Sequence, residues 1–368
     1  MNKHEFFMHK VLELAIKARG ATNPNPMVGA LVVKNGKIIS SAYHHRPCAL
    51  HAEALALRKA GKYAKGAMLY VNLEPCMHFG RTPPCTDIIV KSRIRKVYFS
   101  MIDPNPLNNG KGKRELERNG IKVSEGLLNK DAKKLNEVFI KYITKKMPFV
   151  TLKMAESLDG KIATATGDSK WISSQVSRDY AHKLRSEVDA ILVGVNTILR
   201  DDPILISRRP RSPIKIVLDS YFRIPENSRI FSKSSPVLNI VAISRKALKH
   251  KLTLKKIERL SKKGVLTIIC PARNNRIDLI WLLKELAELE IAHLLVEGGG
   301  DTASGFIAQG LVDRVLFFIA PKIIGGKNAV TSVEGKGVKK VSHALRLKNV
   351  KVEMLGEDIL VKGDILPC

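Results

Sequence analysis

The feature that most restricts the fold of this 368-residue chain is a set of four chemically matched side chains between residues 51 and 85. His51-Ala52-Glu53 opens a helix-forming stretch that runs to Ala60. An apolar, strand-like run from Ala67 to Leu73 leads into Pro75-Cys76, and Cys85 opens the next helix-forming stretch after a turn-rich loop. One imidazole and two thiolates fill three corners of a tetrahedral zinc and leave the fourth for water, whereas structural zinc sites close all four corners with protein ligands. A chain that uses these residues together must bring the starts of two helices to the end of the strand between them.

Each residue alone is weak testimony, because a buried cysteine usually acts as a small hydrophobe and a lone histidine is more often a satisfied core side chain. Their order on a helix, strand, loop, helix frame is another matter. It resembles the H-x-E, P-C, C arrangement of the zinc deaminases, which implies a cytidine-deaminase-like αβα domain. In that chemistry His51, Cys76 and Cys85 hold the metal, and zinc lowers the pKa of a water toward neutrality. Glu53 takes the water's proton and passes it to the departing amino group, a transfer worth about 100- to 10,000-fold in rate. Eight residues, 77–84, separate the two cysteines, against two in nucleotide deaminases, and this polar, turn-rich insert is expected to line the substrate pocket. Cys48 is the weaker candidate for a further ligand.

The rest of the chain alternates between the two periodicities. A helix is expected over Glu5 to Arg19 and a hairpin about Lys34-Asn35-Gly36, where Asn-Gly separates apolar runs. Helices follow over 85–92, 111–119 and 130–145, with strands over 96–101 and 121–125. Lys145-Lys146-Met147-Pro148 is a charged, proline-stopped junction. Beyond it, a strand from Phe149 to Ala155 precedes strand-like runs at 189–193, 214–218, 237–243, 265–269, 291–296 and 313–319, with terminal strands over 350–362. The fold class is therefore α/β in both halves, with expected domains over 1–146 and 149–368.

Composition is globular, at 45% hydrophobic and 26% charged residues. Five cysteines at irregular spacing argue against a disulfide framework. The stretch Val11 to Ile16 is broken by Glu13, so it lacks the apolar core of a secretion signal; the protein is expected in the cytoplasm, with no membrane partner. With 63 Lys plus Arg against 34 Asp plus Glu, the net charge is +29. Nucleic acid is the obvious partner for such an excess, but the basic pairs are short, dispersed and not interleaved with stacking rings. No nucleic-acid partner is expected, and small anions are.

Longer motifs add a resemblance over nearly the whole chain. Residues 22–29 (TNPNPMVG), His51-Ala52-Glu53, residues 73–85 (LEPCMHFGRTPPC) and 101–106 (MIDPNP) resemble the deaminase half of the bifunctional riboflavin-biosynthesis deaminase-reductase family. Residues 152–161 (LKMAESLDGK), Trp171-Ile172-Ser173, Asp201-Asp202-Pro203 and Ala320-Pro321-Lys322 resemble its reductase half. The resemblance implies a zinc-dependent deaminase domain over 1–146 and an NADPH-dependent, dihydrofolate-reductase-like α/β domain over 149–368. The first would remove the 2-amino group of 2,5-diamino-6-ribosylamino-4(3H)-pyrimidinone 5′-phosphate, and the second would reduce the ribosyl group to ribityl. Homo-oligomerisation is implied as well. The chain departs from the family at Cys48-Ala49-Leu50, before the helix, and at Leu55, where a second histidine is common; neither touches the metal ligands.

In the second half, Val296-Glu297-Gly298-Gly299-Gly300-Asp301 follows a strand and opens a helix, where bare backbone N–H groups can approach a phosphate. It lies too late in the domain for a Rossmann fold, whose glycine loop follows the first strand. By resemblance, NADPH would meet Ala155, Trp171, Thr197, Asp201, Ser220, and the loop of Gly299, Gly300, Asp301, Thr302, Ala303, Ser304 and Gly305. The substrate would meet Lys153, Ser169, Arg185, Leu205, Arg208 and Glu297. Asp201 and Lys153 remain alternatives for polarising the acceptor. A nucleotide or tRNA base deaminase with an unrelated C-terminal domain would share the metal residues but leave the second half unexplained. A zinc module without catalytic activity would not need Glu53.

Overall fold

The computed structural model describes residues 2–80, 83–207, 212–232, 237–273 and 275–365. The chain forms two compact units, residues 1–147 and 148–368.

In the first unit, helix α1 (Lys3–Ala15) starts at a capping box: the Asn2 side chain accepts the Glu5 N–H, and the Glu5 carboxylate accepts the Asn2 N–H, both at 2.9 Å. Two otherwise orphaned donors are satisfied. Strands β1 (Gly29–Lys34) and β2 (Lys37–Tyr43) turn through Asn35 and Gly36, at φ 50° and 76°, the left-handed pair that suits the twist of a tight hairpin. The chain continues through α2 (Ala52–Ala60), β3 (Met68–Leu73), α3 (Cys85–Lys91), β4 (Lys96–Met101), α4 (Lys111–Arg118), β5 (Lys122–Glu125), α5 (Asn129–Leu135) and α6 (Glu137–Lys145). The sheet order is β2-β1-β3-β4-β5, with β1 antiparallel to both neighbours and β3, β4 and β5 parallel.

Alternation along these strands builds two cores. Ala30, Val32, Leu69, Val71, Val97 and Phe99 face the side of α2 and α3, while Leu31, Val33, Tyr70 and Tyr98 face Phe7, Met8 and Val11 of α1. Helix α1 lies so close to β1 that a Cβ on Gly29 would stand 2.3 Å from the Val11 carbonyl oxygen. The single helix expected over 130–145 is two, broken at Asn136. The Asn136 carboxamide accepts the Met27 N–H and donates to the Met27 carbonyl, and this tertiary pairing takes the buried residue out of helical register.

The second unit contains β6 (Phe149–Ser157), β7 (Lys161–Ala163), α7 (Gln175–Glu187), β8 (Ala190–Gly194), α8 (Val195–Asp201), β9 (Ile214–Leu218), β10 (Asn239–Ser244), α9 (Lys251–Lys262), β11 (Val265–Cys270), β12 (Ala272–Arg273), β13 (Arg276–Ile277), α10 (Leu279–Glu288), β14 (His293–Val296), α11 (Gly300–Ala308), β15 (Arg314–Ala320), β16 (Val330–Thr331), β17 (Leu347–Leu355) and β18 (Asp358–Ile365). Nine strands form one sheet in the order β11-β10-β9-β8-β14-β6-β15-β18-β17. It is parallel from β11 to β15 and antiparallel across β18 and β17. The chain leaves β8 toward β9 on one side and β14 toward β15 on the other, so the carboxyl ends of β8 and β14 flank a topological switch point, where open α/β sheets place their ligands. Among the described residues, no helix is long and apolar enough to cross a membrane.

Candidate active sites

The ligand atoms of His51, Cys76 and Cys85 lie within 4.8 Å of one another. His51 Nδ1 is 3.2 Å from the Cys85 sulfur and 3.5 Å from that of Cys76. Zinc–nitrogen bonds of about 2.0–2.1 Å and zinc–sulfur bonds of about 2.3 Å span an edge of about 3.5 Å in a tetrahedron, so the donor set fits that ion. His51 is the N-cap of α2, Cys85 is the first residue of α3, and Cys76 follows the end of β3. Cys48 stands outside this cluster, exposed, at φ 64°.

The electrostatics favour a cation there. A hydrogen bond from Cys85, against the cost of burial and with help from His51, pulls the Cys76 thiol down to about 4. The same shared proton, together with burial, pushes Cys85 well up. Burial works to lower the His51 pKa, but its bond to Cys76 and the charge of Glu53 prevail and raise it. Glu53, only 4% exposed, is raised by burial against the opposing pull of His51. A buried carboxyl whose proton affinity is raised, two residues from a ligand, is suited to hold and release a proton.

A polar scaffold sets the Cys76 turn. The buried Glu74 carboxylate accepts the backbone N–H groups of Asp103, Gly110 and Lys113. Asn108 accepts the Met77 N–H and donates to the Pro75 carbonyl and to Asp103. Burial raises the Asp103 carboxyl to about 6. Helix α4 packs so closely here that a Cβ on Gly112 would stand 2.0 Å from the Pro75 oxygen. One polar group that no motif flagged, His44, also stands beside this centre. Buried His44 stands edge-on to His51, with ring centroids 5.5 Å apart, and its Nε2 lies 3.2 Å from Asn25 Nδ2. Leu55, by contrast, packs against the core.

In the second unit a cavity of about 480 Å³ opens beside the switch point. Thr197, Asp201, Ser220, Gly299, Gly300, Asp301, Thr302 and Gly305 line it, and so does Ser169, expected on the substrate side, whose hydroxyl donates to Asp201 at 3.3 Å. Gly299 is the N-cap of α11, and a Cβ there would meet nothing within 4 Å, so the helix start presents bare backbone to the cavity. The fit to a dinucleotide phosphate is good. Ala303 is wholly buried and the Ser304 hydroxyl turns to the Asp301 carbonyl, so these two do not line it. Ala155 and Trp171 are not among the lining residues either; Trp171 is 65% exposed, with the Arg178 guanidinium over its ring at 4.6 Å.

Lys153, Arg185 and Glu297 form a second cluster. Leu152 of β6 is in register with Val296 of β14, which brings Lys153 and Glu297 to adjacent strand positions. Arg185 donates through Nε and Nη2 to one oxygen of Glu297, at 3.2 and 2.6 Å. Burial lowers the pKa of Lys153 against the pull of Glu297. Burial would raise Glu297, but Arg185 and Lys153 prevail and hold it down. The other Glu297 oxygen is buried without a hydrogen-bond partner among the described residues, an acceptor suited to a ligand donor. Buried Leu205 precedes Ile206, whose carbonyl accepts from Arg185 and lies 3.2 Å from His182 Nδ1. Arg208 lies outside the described residues.

Two families match along the chain: the cytidine and deoxycytidylate deaminase zinc-binding region over residues 1–101, and the RibD C-terminal domain over residues 148–361. The riboflavin biosynthesis protein RibD of Aquifex aeolicus is 45% identical over 359 residues, covering 96% of each chain. This chain belongs to the RibD family. The RibD of Escherichia coli is 36% identical, covering 96% of this chain and 97% of its own. Among solved structures, RibD of Acinetobacter baumannii superposes with a TM-score of 0.87 at 32% identity, over 99% of both chains. A diaminohydroxyphosphoribosylaminopyrimidine deaminase/5-amino-6-(5-phosphoribosylamino)uracil reductase of Thermotoga maritima gives 0.86 at 37% identity, over 100% of this chain and 99% of its own. As in these RibD structures, a cytidine-deaminase-like fold precedes a separate α/β reductase fold. Around this cavity, sequence reading missed Arg200, Tyr221, Arg223 and Arg276, which no motif flags because each is an ordinary surface residue type.

Proposed function

We propose that residues 1–147 carry the deamination and residues 148–368 the reduction in a bifunctional deaminase-reductase of riboflavin biosynthesis. The substrate is 2,5-diamino-6-ribosylamino-4(3H)-pyrimidinone 5′-phosphate, whose 2-amino group is replaced by oxygen from water before the ribosyl group is reduced to ribityl. The reading rests chiefly on the convergence of His51, Cys76 and Cys85 beside buried Glu53. These three ligands would hold zinc, which when bound acidifies a water. Glu53 takes a proton onto its carboxylate and returns it to the departing amino nitrogen. Its burial keeps the proton out of bulk solvent between the two transfers. His44, whose Nδ1 lies 3.2 Å from the Leu50 carbonyl oxygen and whose Nε2 meets Asn25, would hold Asn25 so that its carboxamide offers a polar edge to the pyrimidine.

In the reductase half, NADPH supplies the hydride. The α11 start and Thr302 would hold its phosphates, and Asp201 and Ser220 would orient it. Arg185 and Lys153 bind the anionic substrate, with Glu297 holding both cations in place and offering its second oxygen to a sugar hydroxyl. Lys153, with its lowered proton affinity, is the better placed of the two candidates to protonate the opened sugar oxygen; Asp201 is held against Ser169. The full-length protein should contain zinc in stoichiometric amount. Chelation should stop release of ammonia from the diaminopyrimidinone while NADPH oxidation on the deaminated intermediate continues. A zinc-free chain that still deaminates would overturn the assignment.

The protein works in the cytoplasm, where the thiolate ligands stay reduced, and as a homo-oligomer. Strand β17 supports the latter: it closes one edge of the nine-stranded sheet, and Val350, Val352 and Met354, on one face, are 52%, 64% and 65% exposed. Such an edge is a template for another strand, and a second copy of β17 offers the same apolar row. Val352→Lys with Met354→Lys should reduce the mass measured by light scattering to that of one chain. A wild-type protein already of that mass would refute the pairing.

A further inference from the structure

We propose that Arg223, assisted by Arg200 and Ser220, receives the 2′-phosphate of the adenosine ribose and makes the reductase half select NADPH over NADH. The inference rests on the reading of the cavity as the NADPH site. Strand β8 lies between β9 and β14, so the exits of β9 and β14 are two strand spacings, about 10 Å, apart. With the pyrophosphate at the α11 start, beyond β14, the adenosine ribose falls toward the β9 exit. Dinucleotide folds that prefer NADH commonly aim an acidic side chain from a strand end at the ribose 2′-hydroxyl. Here the acidic residue at that position is Asp219, which is completely buried and accepts the Ile224 N–H at 2.7 Å. Its charge is turned into the fold.

What the β9 exit offers the cavity instead is Ser220, Tyr221 and Arg223, with Arg200 from α8. Arg223 is held by one hydrogen bond from Nη2 to Asn196 Oδ1, at 2.8 Å. No carboxylate among the described residues forms an ion pair with Arg223 or Arg200. The third arginine on the cavity, Arg276, differs, since it is paired with Asp301 at 2.8 Å. A dianionic phosphate calls for cations with several donors, and two guanidinium groups without a counter-charge supply them.

The test uses the full-length protein with adenosine 2′,5′-bisphosphate and 5′-AMP as calorimetric probes, and with NADPH and NADH in the reductase assay. Arg223→Ala should weaken binding of the bisphosphate about 10- to 100-fold, the usual effect of losing a charged hydrogen-bond partner, with 5′-AMP affinity retained. The preference for NADPH in kcat/KM should fall by a similar factor, and Arg223→Lys should restore part of it. Equal losses for both probes, or no loss for the bisphosphate, would overturn the role of Arg223 while leaving the cavity as the cofactor site. A wild-type protein that binds neither the bisphosphate nor NADPH would overturn the reading of the cavity itself, and this inference with it.

Discussion

Glu53→Gln should lower the deamination rate by about 100- to 10,000-fold, the usual worth of a positioned proton-transfer group, with zinc content and NADPH-dependent reduction intact. Glutamine has nearly the same shape as glutamate and can occupy the same buried place in the first turn of α2. It can neither accept the water's proton nor deliver one to the leaving nitrogen. His51 and Cys76 keep their positions because the N-cap geometry of α2 and the Glu74 and Asn108 scaffold do not involve the Glu53 side chain, and glutamine retains a side-chain oxygen that can accept the hydrogen bond Glu53 shares with Cys85. Metal analysis and the two separate assays check this. Deamination within tenfold of wild type would remove Glu53 from the chemistry, and simultaneous loss of reduction in a folded variant would contradict the division of labour.

The second large effect is expected from Glu297→Leu. Arg185 is 17% exposed and Glu297 8% in their side chains, and Lys153 also leans on the carboxylate. Removing the one anion leaves two cations facing each other in a poorly solvated place, and breaking a buried pair in this way costs about 3–5 kcal/mol. For a unit of this size that corresponds to a drop in unfolding midpoint of about 6–20 °C, and reduction should be lost because substrate anchoring is lost with it. Arg185→Met combined with Glu297→Leu should recover much of the stability without recovering reduction. A single variant as stable and as active as wild type would show that the cluster carries neither role.

The three candidate ligands were legible because each lies at an element boundary that the local sequence announces: His51 and Cys85 at helix starts, Cys76 after a largely apolar strand. Their meeting follows from the elements alone. The pairing of His44 and Asn25 beside that centre was not legible, since His44 follows the end of β2 and Asn25 lies in the loop before β1, and only the sheet brings His44 to His51 and Asn25 to His44. The helix break at Asn136 was hidden for the same reason, its cause being Met27. In the reductase half the strands could be read, but not the insertion of β14 between β8 and β6, which depends on which apolar faces cover which. The cavity residues Thr197, Asp201 and Ser220 came from resemblance, and Arg223 came only from the structure. Arginine at a strand exit carries no periodic signal.

The late arrival of β14 has a consequence for biosynthesis on the ribosome. Arg185 and Glu297 are separated by 112 positions, and β14 must slot into the middle of a sheet whose flanking strands, β8 and β6, are synthesised long before it. Residues 1–147 already contain the three candidate metal ligands and both of their cores before any strand of the nine-stranded sheet has been translated. A nascent polypeptide can thus acquire its first catalytic centre early, while the second has no anion to organise its cations until residue 297 has emerged from the exit tunnel.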